Sequence, residues 1–103
     1  MYCIILVVAK DKKEAAKIAA ALVKNKLAAC VNIIAGVSSV FRWQGRVEQA
    51  REALLVIKSK KAKFPAIARM TRSLHSYDVP EMIAIPIISG FKPYLDWINE
   101  SVG

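Results

Sequence analysis

Two long extended arms meet at a two-residue turn near the middle of the chain, and they restrict the fold more than any other feature. Gln44-Gly45 is a hairpin signal, because a tight turn matched to strand twist needs left-handed backbone that glycine supplies without strain. Val37 to Trp43 runs into it. Arg46 to Lys58 runs out, alternating at first and then solidly apolar at Ala53-Leu54-Leu55-Val56-Ile57. Ordinary strands are about 5–6 residues long. Arms of this length, in a chain of 103 residues, predict a hairpin that outreaches its own core and meets a neighbouring copy.

The segments on either side fit around that hairpin. Tyr2 to Ala9 is a continuous apolar run, as in a strand covered on both faces. Asp11 offers an N-cap and Glu14 completes a capping-box-like start. Ala15, Ile18, Ala19, Leu22, Val23 and Leu27 then recur at helical spacing and predict one buried stripe. Leu27 to Ile34 reads as the second strand, with Gly36 as a bend or bulge before the hairpin proper. Lys61 to Leu74 reads as a second helix, with Pro65 in its first turn and Ile67, Met70, Thr71 and Leu74 inside. Pro80 to Ser89 is a fourth strand. Pro86 cannot donate a ladder bond, which assigns that strand to an edge or a bulge. Gly90 breaks it, and Pro93 to Val102 closes the chain as a helix with Tyr94, Leu95, Trp97 and Ile98 inside. The order is β-α-β-β-α-β-α. Its first six elements spell an α+β, ferredoxin-like split βαβ sandwich, one domain over residues 1–103, with helices on one sheet face and an apolar open face on the other.

Composition supports an assembly. Hydrophobic residues make up 55% of the chain, above the roughly 45–50% of ordinary globular proteins. A domain this small buries only about 60–70% of its unfolded surface, so the surplus predicts an oligomer with an apolar interface. The net charge is +8, from 16 basic and 8 acidic residues. The lysines fall on helix faces without an Arg/Gly-rich or aromatic-interleaved signature, and a solvated surface is expected rather than a nucleic-acid partner. Cys3 and Cys30 lie in apolar strand runs, as reduced thiols do. The apolar run at Ile4 to Ala9 is too short for a membrane span and lacks the pattern of a signal peptide. A cytoplasmic protein is expected.

Chemistry concentrates in His75-Ser76-Tyr77-Asp78-Val79-Pro80-Glu81. Cys3, Cys30, His75, Glu48, Glu52, Asp78 and Glu81 are the side chains a transition metal would choose. There is no Cys-x-x-Cys and only one histidine, so a closed site within one chain is not expected, and a site shared between chains stays open. His75 would otherwise be a helix C-terminal cap, and Cys30 a small core hydrophobe. His75 with Asp78 and Glu81 could supply an acid and a base. No nucleophile elbow, phosphate loop or dinucleotide fingerprint accompanies them, and a non-enzymatic protein is expected. Phe41, Trp43, Tyr77, Tyr94 and Trp97 suit burial in an interface better than base stacking.

Taken together, Leu27-Ala28-Ala29-Cys30-Val31-Asn32, Trp43-Gln44-Gly45, the run from Glu52 to Lys58, the 75–81 segment and Tyr94-Leu95-Asp96-Trp97 resemble the CutA family of divalent-cation tolerance proteins. The likeness covers nearly the whole chain. It implies a ferredoxin-like subunit in a compact homotrimer, with hairpins crossing subunit boundaries, as in PII signalling proteins. It also implies a link to divalent cations, copper foremost, with no obligatory cofactor. Carried over by position, Cys30 and His75 are the candidate copper ligands, and Trp43, Glu52, Lys58, Tyr77 and Glu81 line clefts between subunits. The alternative that the resemblance leaves open is a PII-like signalling or adaptor trimer taking an anionic ligand or partner in those clefts. Ser76 stands where the family usually has proline, and Cys3 has no ligand counterpart.

Overall fold

The computed structural model describes all residues, Met1–Gly103. The strands β1 (Tyr2–Ala9), β2 (Cys30–Trp43), β3 (Arg46–Lys60) and β4 (Met82–Pro86) form one antiparallel sheet in the order β2-β3-β1-β4. Helices α1 (Lys12–Lys24) and α2 (Phe64–Leu74) cover one face, and α3 (Lys92–Ser101) packs at one end of the sheet. This is the ferredoxin-like α+β sandwich expected from the element order. No helix is long and apolar enough to cross a membrane.

Alternation in β1 decides which face is core. Cys3, Ile5, Val7 and Ala9 are buried, and the residues between them are half-buried. Ala53, Leu55 and Ile57 of β3 lie on the same side, where they meet Ile18 and Leu22 of α1 and Ile67 of α2. Side chains of this size contribute about 1.5–3 kcal/mol each when fully buried. Ile4, Leu6, Leu54 and Val56 point to the other face. There Ile4 sits opposite Ile85 and Leu6 opposite Ile83. Ile34, Ile83 and Ile85 remain 50%, 49% and 45% exposed. The apolar open face is therefore present in the single chain.

The hairpin gives the molecule its long dimension, 44 Å against 25 and 22 Å. Its turn is left-handed at both Gln44 and Gly45, with φ of 49° and 77°, the conformation that matches strand twist. Between the Ile34–Leu54 and Val37–Glu52 pairs the register slips. Ala35 and Gly36 together face the single Ala53, and Gly36 adopts φ +70°. This is the bulge that the glycine predicted.

Several boundaries differ from expectation. Asn25 caps α1 and Lys26 turns left-handed at φ 57°. The N–H groups of Leu27 and Ala28 then fold back onto the Leu22 carbonyl, at 3.0 and 3.2 Å. The ladder is joined only at Ala29, so β2 begins at Cys30 rather than Leu27. Val23 faces outward at 44% exposure because Leu22, Ala19 and Ile18 already fill the stripe. A 3-10 turn over Lys61–Lys63 precedes α2, which starts at Phe64 with Pro65 in its first turn. Strand β4 is an edge strand and stops at Pro86; beyond it only Ile87 donates once more, to the Tyr2 carbonyl at 3.0 Å. In α3 only Ile98 is fully buried, packed with Ala29 and Val102, while Tyr94 and Trp97 stay 40% and 42% exposed.

Candidate functional site

Helix α2 ends at His75, whose backbone turns extended and carries the chain across the end of β1. The His75 side chain is fully buried. Its Nε2 lies 2.7 Å from the Val8 carbonyl oxygen, which can only accept, so Nε2 bears the proton and donates. The Tyr77 backbone N–H donates to Nδ1 at 3.0 Å. Both ring nitrogens are thereby occupied, and the ring fixes where the turn lies on β1. Within this chain both ring nitrogens of His75, the sequence candidate for a copper ligand, are engaged in hydrogen bonds.

Glu14 ties the same turn to α1. Asp11 Oδ1 accepts from the Glu14 N–H at 2.8 Å, closing the helix start. The Glu14 carboxylate reaches back to the Lys10 N–H at 3.1 Å rather than to the cap residue itself. Its other oxygen accepts from the Ser76 N–H at 2.9 Å. Burial works against the Glu14 charge, but these hydrogen bonds and the nearby His75 ring prevail and hold its carboxyl below the usual range. Ser76 supplies one of those donors through its backbone N–H.

With the turn held, the Tyr77 hydroxyl donates to Glu52 Oε2 at 2.6 Å. Glu52 is 7% exposed. Burial, and then the hydrogen bond to Glu52, raise the Tyr77 phenol above its ordinary value, so it remains a donor. The pair stands at the bottom of a groove of about 760 Å³ between the hairpin and the 77–81 turn. Phe41 pairs across the ladder with Glu48. Strand period then puts Trp43 and Glu52 on that same side. Trp43, Glu52, Tyr77 and Glu81 all line the groove, joined by Glu48 and Asp78.

The other two sequence candidates lie elsewhere. Cys30 pairs with Lys58, and Lys58 with Ile4. Val8, where His75 is anchored, is four residues further along β1, about 13 Å at strand rise. One chain therefore does not bring Cys30 to His75, and no group of three His, Cys, Asp or Glu side chains is placed to hold a metal ion. Lys58 donates to Asn32 at the Cys30 end, so it does not line this groove. The half-buried Cys30 thiol lies against Tyr94, whose phenol is raised by burial and then by that sulfur. Cys3 is buried in the core, where burial pushes its thiol up. The site roles of Glu14 and Val8 had no sequence signal beyond the capping pattern, because both arise from contacts across more than 60 residues.

The fold and groove define a ferredoxin-like domain with an overlong hairpin, an apolar open sheet face and a carboxylate-lined cleft. Solved structures of this class superpose closely. The divalent cation tolerance protein of Thermus thermophilus matches with a TM-score of 0.98 at 43% identity, covering 100% of both chains. The structure described as the periplasmic divalent cation tolerance protein CutA of Archaeoglobus fulgidus matches with a TM-score of 0.97 at 41% identity, again over 100% of both. Residues 3–101 match the family model for the CutA1 divalent ion tolerance protein, and the chain belongs to that family. The Thermus divalent-cation tolerance protein CutA is 43% identical over 100 residues, 97% of each chain. Mouse protein CutA is 41% identical over 90 residues, which are 87% of this chain but 51% of the mouse protein.

Proposed function

We propose that the protein is a non-enzymatic homotrimer that contributes to divalent metal tolerance and binds divalent cations, copper foremost. The observation that carries the metal reading is the family match over residues 3–101. The trimer is supported by the half-exposed isoleucines of the open sheet face and by a hairpin that leaves its own core behind. An apolar face of this kind is stabilised by a second copy, and capping the β2 and β4 edges removes a template for aggregation. Cys30 is the soft donor in this reading, reaching its partner ligands across a subunit boundary, whereas His75 serves the fold. The four carboxyl groups of the groove, with no lysine or arginine among its lining residues, count against an anionic ligand there.

Native mass spectra with and without one equivalent of copper per chain test both parts. A trimer with stoichiometric copper is expected, losing the metal in Cys30→Ala and keeping it in His75→Ala. A monomer defeats the assembly. Copper retained in Cys30→Ala removes the proposed donor.

A further inference from the structure

The metal reading makes no use of the helix layer, which carries a charge asymmetry of its own. On α1, Ala15, Ile18, Ala19 and Leu22 face the core, and exposed Lys13, Lys17 and Lys24 fall on the opposite side at spacings of four and seven residues. On α2, Ile67 and Thr71 face the core, with Arg69 and Arg72 exposed. Both helices cover the same sheet face, and Asn25 at the end of α1 donates to the Met70 sulfur of α2 at 3.8 Å. Their outer ridges therefore make one surface. Exposed Lys26 and Lys61 continue it at the end where α1 stops and the chain enters α2.

No carboxylate neutralises these ridges. None occurs between Glu14 and Glu48, or between Glu52 and Asp78, so α1 beyond its first turn and the whole of α2 lack acid. Asp11 and Glu14 serve the start of α1 and the Ser76 turn. Glu48, Glu52, Asp78 and Glu81 line the groove instead. The ion pairs of the chain are His75–Glu14 and Lys92–Asp96, and neither includes a cation of the ridges. In a chain of net charge +8, a face of unpaired like charges attracts a polyanion.

The kind of polyanion follows from what the face lacks. Of the exposed large hydrophobic residues only Val23 lies on these helices. Their apolar stripes face the core, which leaves nothing to sink into a bilayer as an interfacial helix does. The one aromatic of the two helices, Phe64, also packs against the core, so no ring is offered to stack an unpaired base. What remains is a row of cations, about 16 Å long from Lys13 to Lys24 at helical rise, and cations alone suit the phosphates of a duplex. We infer that the outer face of the helix layer binds double-stranded nucleic acid through its phosphates, without reading sequence. Spacing along the chain carries no such signature, because α1 and α2 become one surface only in the fold. The trimer proposed above covers the other face of the sheet, so this one points outward in a trimer and a monomer alike.

Fluorescence anisotropy of a labelled DNA duplex of mixed sequence tests this, with EDTA present so that no metal bridges protein and phosphate. An unrelated duplex is expected to bind equally well. The logarithm of the binding constant is expected to fall against log salt with a slope of roughly −4 to −5, as for five phosphate contacts. Lys13→Gln, Lys17→Gln and Lys24→Gln together keep helix propensity and are expected to weaken binding at least tenfold, flattening the slope by roughly 2–3. Arg69→Gln with Arg72→Gln is expected to weaken it several-fold. A charge-matched control, Arg42→Gln, Arg46→Gln and Lys92→Gln, lies off the helix layer and is expected to leave affinity nearly unchanged. An equal loss in that control reduces the effect to net charge and overturns the inference. So do absence of binding at low salt, a preference for the single strand, and a tighter hold on phosphatidylserine vesicles than on the duplex. Native mass spectra of the same variants report subunit number and copper separately, so failure here is distinct from failure of the trimer or the metal reading.

Discussion

Replacing Tyr77 by phenylalanine removes one oxygen and isolates the Glu52–Tyr77 contact. The ring stays where it is, tilted against His75 at 4.9 Å and 53°, and its backbone N–H still donates to that imidazole. What goes is a 2.6 Å hydrogen bond onto a carboxylate that is 7% exposed and has no other partner. A hydrogen bond to a charged group contributes about 1.5–3 kcal/mol. Tyr77 is 37% exposed, so water reaches the site and screens part of that, leaving about 1–2 kcal/mol. In a domain of this size each kcal/mol moves Tm by roughly 4–8 °C. Guanidinium unfolding at fixed chain concentration, with Glu52→Gln and the double variant completing a cycle, reads the coupling directly. The pH limb adds a second check. The folded protein holds the Tyr77 proton more tightly than the unfolded chain, whose phenol has the ordinary value of 10.0. The stabilisation is therefore whole below about pH 10 and is lost as pH climbs above it. Tyr77→Phe should flatten that alkaline decline. A loss below about 0.5 kcal/mol at neutral pH, or a cycle with no coupling, refutes the assignment of Glu52 as a carboxylate completed by Tyr77.

Glu14→Gln should cost about 1–2 kcal/mol, because one carboxylate serves both the helix start and the Ser76 N–H. Since its folded pKa lies below the ordinary 4.5, the wild-type contribution is complete above that value and disappears as pH falls below it. The variant should unfold in acid with a shallower slope. On the open face, Ile85→Glu should shift the assembly to monomer in sedimentation velocity, by setting a charge among Ile4, Ile83 and their neighbours; an unchanged trimer would place the interface elsewhere. His75→Ala should destabilise the fold by about 2–4 kcal/mol, through a cavity and an unsatisfied Val8 carbonyl. A stability within 0.5 kcal/mol of the parent would return His75 to the list of available ligands.

Local rules made much of the architecture legible. The Asp11–Glu14 start of α1 and the Gln44-Gly45 turn each depend on neighbours in sequence, and each emerged as read, whereas the continuous apolar run of β1 marked a strand without telling its buried face from its half-buried one. Pro86 marked an edge because a missing donor is a property of the residue itself. Tyr94 and Trp97 were less legible: helical spacing says which residues share a side, but in one chain Ile98 already makes the packing contact of α3. The site was legible as a list of residues and not as a set of jobs. His75 carries ligand chemistry in its composition, and only the position of the Val8 carbonyl reveals that its nitrogens are committed. Glu52 and Tyr77 lie 25 residues apart, and no spacing rule connects a strand to a turn across a sheet. Lys58 and Glu52, six residues apart on one strand, fall at different ends for the simple reason that strands are long.

The irregularity at Ala35-Gly36 governs more than the bend of the hairpin. It shifts phase: inside it partners sum to 88, as in Ile34–Leu54, and outside it to 89, as in Val37–Glu52. With the inner register continued outward, Glu48 would face Val40, and Val40 and Arg42 would take the side that Phe41 and Trp43 now hold. In that register the groove would be walled by the Val40 isopropyl group and the Arg42 guanidinium in place of the two rings. The extra residue at the bulge is therefore what keeps Phe41 opposite Glu48 and Trp43 opposite Arg46 along the outer hairpin.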